Sequence, residues 1–283
     1  MTTPSPLRYP GGKSKAVEQI AARLPAEGFA DFREPFVGGG SVFLHVRRQF
    51  PEASVWINDL NHDLYCFWKH AQADSERLAD EVRRIKRETT DGRALFRELT
   101  TEKASGLSEF DNAARFFVLN RITFSGTVDS GGYSQKAYET RFTDTAIERL
   151  RRLSPALRGV RVTNLDYREV LREPGSDVFV FLDPPYFSAT KSRLYGRRGA
   201  LHTGFDHEEF AATLRACPHR WLVTYDDSPE IRRNFDFANL REWELQYGMN
   251  NFRRDHAPKG KELFITNYPA ESHGARREAE YAA

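Results

Sequence analysis

VFVFLDPPYFSATKSRLYGRRG (residues 178–199) runs a near-continuous apolar stretch into Asp183-Pro184-Pro185-Tyr186, then into a basic, glycine-containing segment. The apolar part reads as a buried strand. The two prolines forbid further ladder hydrogen bonding and fix a rigid turn. A carboxylate and a tyrosine ring are thereby held at the C-terminal edge of a sheet, the edge at which open α/β sheets bind ligands. Lys191, Arg193, Arg197 and Arg198 follow with no acidic residue among them. A strand end capped by a turn and a solvated loop has the same local appearance, so the rest of the chain must decide.

Working outward, short β-rich runs occur at 32–37, 54–59, 160–166, 220–226, 241–247 and 262–268, giving seven with the first. Helical patterns separate several of them, such as SKAVEQIAARL before the first strand and HEEFAATLRAC before the fifth. This alternation predicts an α/β fold, a doubly wound, mostly parallel seven-stranded sheet. The last two runs lack a helical pattern between them and read as an antiparallel hairpin at one side. Residues 69–158 carry helical stripes, Leu78-Val82-Ile85 and Ile147-Leu150-Leu153-Leu157, and no strong strand. That is too long for a crossover loop. It reads as a helical insertion domain between a first catalytic part (1–68) and a second (159–269), and SGTVDSGGYS (125–134) in it as a glycine-rich turn or hairpin. The polar tail 270–283 is expected to be frayed.

Bulk composition narrows the classes. With 42 basic against 40 acidic residues the net charge is only +2, so any nucleic-acid reading must rest on local clustering. Cys66 and Cys217 are far apart and fit neither a disulfide framework nor a zinc site, which suits a reducing cytoplasm. The start MTTPSPLRYPGGK has no apolar core of a signal peptide, and no run of about 18 apolar residues exists to span a membrane. A soluble cytoplasmic protein is the expectation.

A second constellation lies at the first strand, which runs into Phe36-Val37-Gly38-Gly39-Gly40-Ser41 before a helical pattern. Glycines at such a turn let the backbone approach a ligand. The second strand ends in Asn58-Asp59, and Asp59 lies 59 − 38 = 21 residues past the first glycine. An acidic residue at about that spacing is the usual acceptor for ribose hydroxyls. The dinucleotide fingerprint fails, because Phe43 stands where its third glycine belongs. A P-loop ending at Gly12-Lys13-Ser14 fails too, with Leu7 in place of its first glycine and no strand before it. A nucleoside ligand without phosphates remains.

The motifs RYPGGKSK, FREPFVGGGSVF, INDLNHDL, NLDYREV and FLDPPYF together resemble those of the Dam-like DNA adenine-N6 methyltransferases, from about Leu7 to Tyr268. A chance DPPY in a chain of this length is on the order of one in a thousand. The resemblance implies a Rossmann-like methyltransferase fold and S-adenosyl-L-methionine as cofactor. It implies that Asp59 accepts from the ribose, that Phe36 and Gly38 to Gly40 flank the methionine part, and that Tyr9 and Lys13 contact the adenosyl group and the methionine carboxylate. Asp166 would accept from the cofactor's adenine amino group. Asp183 and the Pro184 carbonyl would accept the hydrogens of the target amino group, favouring a pyramidal nitrogen with its lone pair free, while Tyr186 stacks on the base. The target must be flipped out of double-stranded DNA to reach them. Lys191, Arg193, Arg197 and Arg198 would then clamp phosphates. Neither the resemblance nor the spacing of the eight histidines calls for a metal.

Within the insertion, Asn120-Arg121 and Phe124-Ser125-Gly126 align with the family's DNA-reading pattern Asn-Arg-x-x-aromatic-Asn-Gly. Three positions past Gly126, where Dam carries a guanine-reading arginine, stands Asp129. A carboxylate only accepts, which suits cytosine or adenine amino groups and speaks against plain GATC recognition. Methylation of cytosine N4, whose enzymes more often carry serine in place of Asp183, is the nearest alternative. A catalytically silent DNA-binding protein on the same fold is a further one. A monomer or weak dimer, with a cognate restriction endonuclease as a candidate partner, completes the expectation.

Overall fold

The computed structural model describes residues 5–9, 11–101, 106–128, 131–187, 204–245 and 260–269. Asp129, Lys191, Arg193, Arg197, Arg198 and the tail 270–283 therefore lie outside the described residues. In chain order the elements are α1 (Val17–Ala21), β1 (Asp31–Glu34), α2 (Ser41–Gln49), β2 (Ser54–Asn58) and α3 (His62–Glu88). Then come α4 (Gly92–Thr100), α5 (Glu109–Ile122), α6 (Gln135–Arg141), α7 (Asp144–Arg151) and α8 (Ser154–Leu157). The chain returns through β3 (Arg161–Thr163), α9 (Tyr167–Arg172), β4 (Val178–Leu182), α10 (His207–Arg215), β5 (Arg220–Asp226), α11 (Pro229–Asn234), β6 (Asn239–Leu245) and β7 (Gly260–Thr266).

All seven expected strands form one sheet in the order β3-β2-β1-β4-β5-β7-β6. The first five run parallel, and β7 pairs antiparallel with both β5 and β6. Two strands are shorter than their apolar runs. β1 stops at Glu34, before Pro35, which has no N–H for the ladder. β3 keeps only Arg161–Thr163.

Strand β4 shows why the opening run is unbroken. Phe179 and Phe181 enter one apolar cluster, and Val178, Val180 and Leu182 enter the other. Both faces of the strand are covered, so alternation with polar residues has no place in it. The Phe179 side of the sheet is continuous with helices α3, α5 and α7. Phe32, Val55 and Phe179 belong to the same cluster as Leu78, Val82, Phe117 and Leu150. The expected insertion start at residue 69 falls inside α3, which begins at His62 and has a non-helical Asp74 within it. Every residue of α5 from Ala113 to Ile122 is buried, which removes the usual one-sided apolar stripe. At the ends of the expected turn at 125–134, whose residues 129 and 130 lie outside the described residues, Thr123 bridges Tyr133 in antiparallel fashion, with Phe124 N–H donating to Gly132 and Ser134 N–H to Ile122. No helix among the described residues is long and apolar enough to cross a membrane.

Candidate active site

Strand order reverses between the paired parallel strands β1 and β4. A cavity of about 540 Å³ occupies this point and takes in the glycine turn, Asp59, Asp166 and the Asp183–Tyr186 turn. Four sequence motifs from separate parts of the chain thus line one space.

The glycine turn is built to a close tolerance. Gly38 and Gly40 have φ of +46° and +70°. A Cβ on Gly40 would lie 2.5 Å from Phe43, and one on Gly38 would lie 2.9 Å from Tyr9. Only glycine fits both conformation and space. Tyr9 therefore lies directly on the turn. The Gly38 N–H donates to Asp59 Oδ2 at 3.1 Å, and the Asn61 N–H donates to Oδ1 at 3.0 Å. Burial lifts the Asp59 carboxyl to about 6, against the pull of these two donors. Asn58 fastens the strand ends beside it, donating to Pro35 and Leu165 carbonyls and accepting from Leu165 N–H. Phe36 packs its ring against Tyr167, Phe205 and Phe210 at the cavity wall.

At the catalytic turn, Asp183 Oδ1 accepts from Lys13 Nζ at 2.8 Å and from Thr224 Oγ1 at 2.8 Å. Lys13 is 3% exposed, donates also to the Gly11 carbonyl at 3.1 Å, and sits 4.7 Å from the Tyr186 ring centroid. Expected with Tyr9 at the adenosyl group and methionine carboxylate, it lines the cavity and also sits between the two principal side chains of the turn. Both lie on the cavity wall with Pro184. The Tyr186 hydroxyl donates to Glu262 Oε2 at 2.7 Å. Burial, then the charges of Asp183 and Glu262, hold this phenol far above its usual range. The Phe187 N–H donates to Asp226 Oδ1 at 2.8 Å, ending the turn against β5.

Asp166 lines the cavity but is partly committed. It caps α9, accepting from the Arg168 N–H at 2.9 Å, and pairs with the Arg168 guanidinium at 2.7 and 2.8 Å. One further acceptor site on Oδ2 remains for a ligand amino group. Glu34 was not anticipated. It is 2% exposed, lines the cavity, and its Oε2 has no hydrogen-bond partner among the described residues. Burial, with Asp183 and Asp59 nearby, raises its carboxyl well above the usual range and favours the neutral acid. The signal in the sequence was an acidic residue ending an otherwise buried strand.

The expected DNA-reading residues divide sharply. Phe124 is 68% exposed, the most exposed large apolar side chain described. Ser125 beside it holds φ of +55°, a conformation that asparagine at this place in the family pattern tolerates better. Asn120, expected to touch DNA, is instead fully buried. Its amide joins Arg8 N–H and C=O to the Gly126 carbonyl, so it pins the N-terminal segment to the reading turn. A polar residue inside an all-buried helix has to find such partners. Arg121 is 5% exposed, with Nε lacking a partner among the described residues. Burial, then Arg8, Arg149 and Arg141, lower its pKa to about 9. None of these four arginines has a carboxylate at ion-pair distance among the described residues. Away from the cavity, His62, Cys66 and Glu109 lie close enough to share an ion, but Glu109 already pairs with Lys69 at 2.8 Å.

Comparison with known proteins points the same way. The family model of the D12 class N6 adenine-specific DNA methyltransferases matches residues 9–249. The type II methyltransferase M1.LlaDCHI of Lactococcus lactis subsp. cremoris is 24% identical over 283 residues, covering 92% of this chain and 94% of that protein. The type II methyltransferase M.MjaIII of Methanocaldococcus jannaschii is 28% identical over 203 residues, covering 66% and 70%. A DNA adenine methylase of Vibrio cholerae is 23% identical over 251 residues, covering 83% and 85%.

Proposed function

The chain belongs to the D12 class N6 adenine-specific DNA methyltransferases, and from that premise we propose that it methylates the exocyclic N6 of an adenine flipped out of double-stranded DNA, with S-adenosyl-L-methionine as donor. Membership supports adenine N6 over cytosine N4 and over a silent DNA-binding protein. The observation that carries the mechanism is the Asp183 carboxylate, fixed on one oxygen by Lys13 and Thr224 at the mouth of a nucleoside-sized cavity.

The cavity fits such a donor. A glycine turn with no room for a Cβ, a ribose-type acceptor in Asp59 and an unmet Glu34 oxygen supply backbone and polar groups for it. Asp59 would hold the ribose, the Gly38–Gly40 backbone with Phe36 and Tyr9 the methionine side, and Asp166 the adenine amino group. When bound, S-adenosyl-L-methionine would supply an electrophilic methyl group to the N6 lone pair, its sulfonium leaving as a neutral thioether and an N6 proton being released.

The chain's own residues do the rest by positioning and electrostatics. Asp183 and the Pro184 carbonyl accept the N6 hydrogens, and Tyr186 offers its ring to the base. The released proton leaves along the hydrogen bond to Asp183 and passes to water. Phe124 would fill the gap left by the extruded base. Arg121, with Arg8, Arg141 and Arg149 around it, forms an electropositive floor suited to a DNA phosphate. Contact of Lys191, Arg193, Arg197 and Arg198 with phosphate, and a recognition sequence other than GATC through Asp129, belong to the same proposal. The test is tritium transfer from labelled S-adenosyl-L-methionine to mixed plasmid DNA, then sequencing of the modified positions. N6-methyladenine at one short motif is expected, and no incorporation, or label on cytosine, overturns the reading.

A further inference from the structure

The catalytic turn is braced from β5 and β7 by side chains that carry no recognisable motif. Thr224 holds Asp183, Asp226 holds the Phe187 N–H, and Glu262 holds the Tyr186 hydroxyl. Asp226 and Glu262 are register partners across the β5–β7 pair, while Trp243 is the partner of Glu262 on β6. Glu262 is 1% exposed as a residue and yet lines the cavity.

A carboxylate is an expensive choice there. Burial pushes it up to about 7; Lys13 and the Tyr186 hydroxyl pull it down, and Asp183 and Asp226 push it further up. Mere packing would be served by the residue types that follow it on β7, Leu263, Phe264 and Ile265, all buried. Two things distinguish glutamate from them: an acceptor aimed at the Tyr186 hydroxyl, and a negative charge beside the reacting groups.

We propose that Glu262 is a positioning residue for methyl transfer, fixing the Tyr186 ring against the target base and, when ionised, offsetting the positive charge that transfer places on the adenine nitrogen. The inference rests on the methyl-transfer reading. Tyr186 donates and Glu262 accepts, so the ring is held in one plane instead of turning about its χ angles. Ionisation of Glu262 grows as pH rises through about 7. The reaction should therefore quicken across that interval and then level off, because both the acceptor strength and the compensating charge grow with ionisation.

Single-turnover rates from pH 5.5 to 9, at saturating S-adenosyl-L-methionine and duplex DNA, test this. Wild type should show an inflection near 7. Glu262→Gln retains an amide oxygen for Tyr186 but no charge, so its inflection near 7 should vanish and its plateau rate fall on the order of tenfold. Glu262→Leu and Tyr186→Phe should each weaken the 2-aminopurine fluorescence rise that reports the extruded base, and the double variant should be no worse than the poorer single one. Thermal melting and cofactor calorimetry on each variant separate folding from chemistry. A structural role alone would lower melting temperatures and leave the inflection in Glu262→Gln, which overturns the inference while transfer itself persists. A wild-type protein that binds no S-adenosyl-L-methionine and labels no DNA overturns the underlying reading as well.

Discussion

Replacing Asp183 with asparagine keeps the shape of the side chain, removes its charge, and leaves the amide no good orientation. Lys13 Nζ and Thr224 Oγ1 both arrive on Oδ1 at 2.8 Å. If the amide oxygen takes that position, its NH₂ group faces the target amino group, donor against donor. If the amide turns over, NH₂ meets the lysine ammonium instead. The first orientation loses the acceptor for an N6 hydrogen, and the second keeps one only by setting the amide NH₂ against the buried Lys13 ammonium. Removing one preorganised polar group of this kind costs about 100- to 1000-fold in rate, roughly 3 to 4 kcal/mol of transition-state stabilisation. Ground-state DNA binding owes little to it, so the Kd for DNA should stay within about threefold. A structural cost accompanies the kinetic one, because Lys13 at 3% exposure loses its counter-charge. A fully buried charge left alone costs about 3 to 5 kcal/mol. Asp183 is 20% exposed and the Gly11 carbonyl still accepts from Lys13, so about 1 to 2 kcal/mol and a melting temperature several degrees lower are expected. Single-turnover kinetics at saturating cofactor, with DNA binding by anisotropy and melting in parallel, read out all three. A single-turnover rate at the wild-type level would refute the reasoning, whatever happened to stability.

Three further outcomes follow from the same geometry. Asp59→Asn should weaken S-adenosyl-L-methionine binding by calorimetry and remove a gain in affinity as pH rises through about 6. The sign follows from burial, which raises this carboxyl: the cofactor-free fold gives up stability as pH climbs from about 4 to 6, while the ionised acceptor suits ribose hydroxyls better. Phe124→Ala, at a side chain 68% exposed, should leave the melting temperature unchanged and reduce the 2-aminopurine signal of base extrusion. Arg121→Met should reduce the slope of log DNA affinity against log salt by about one, without lowering the melting temperature, since the guanidinium removed is buried among like charges.

The sheet was legible because each strand is a short apolar run bounded by breakers, and β4 announced its double burial by lacking alternation. The insertion of β7 between β5 and β6 was not read, although the contrast was present. β7 carries the unbroken apolar run Leu263-Phe264-Ile265, as suits an interior strand, whereas NLREWEL on β6 alternates with charges, as suits an edge. Asp59 and the Asp183–Tyr186 turn stood out because turn chemistry is local. Lys13 was read as a cofactor contact but not as a partner of the turn, and Thr224, Asp226 and Glu262 were not read at all, because they reach the turn from 39 to 76 residues away. Asn120 misled for the opposite reason: a polar residue in a recognition pattern suggests a ligand, while its partners are the protein's own backbone.

The apolar cluster that passes without a break from the sheet into α3, α5 and α7 bears on how new target sequences arise in such a chain. A reading module that folded alone could be traded whole between relatives. Here a cut near residue 69 severs Leu64, Phe67 and Trp68 from the helices they touch, and a cut near 158 does the same to Leu157 and Val160. A graft at those points would strip one face of the sheet and have to rebuild it. Substitutions around the exposed tip at Phe124 and Ser125 disturb far less buried surface. If that tip reads the target as proposed, substitutions there disturb the fold less than exchange of the whole segment would.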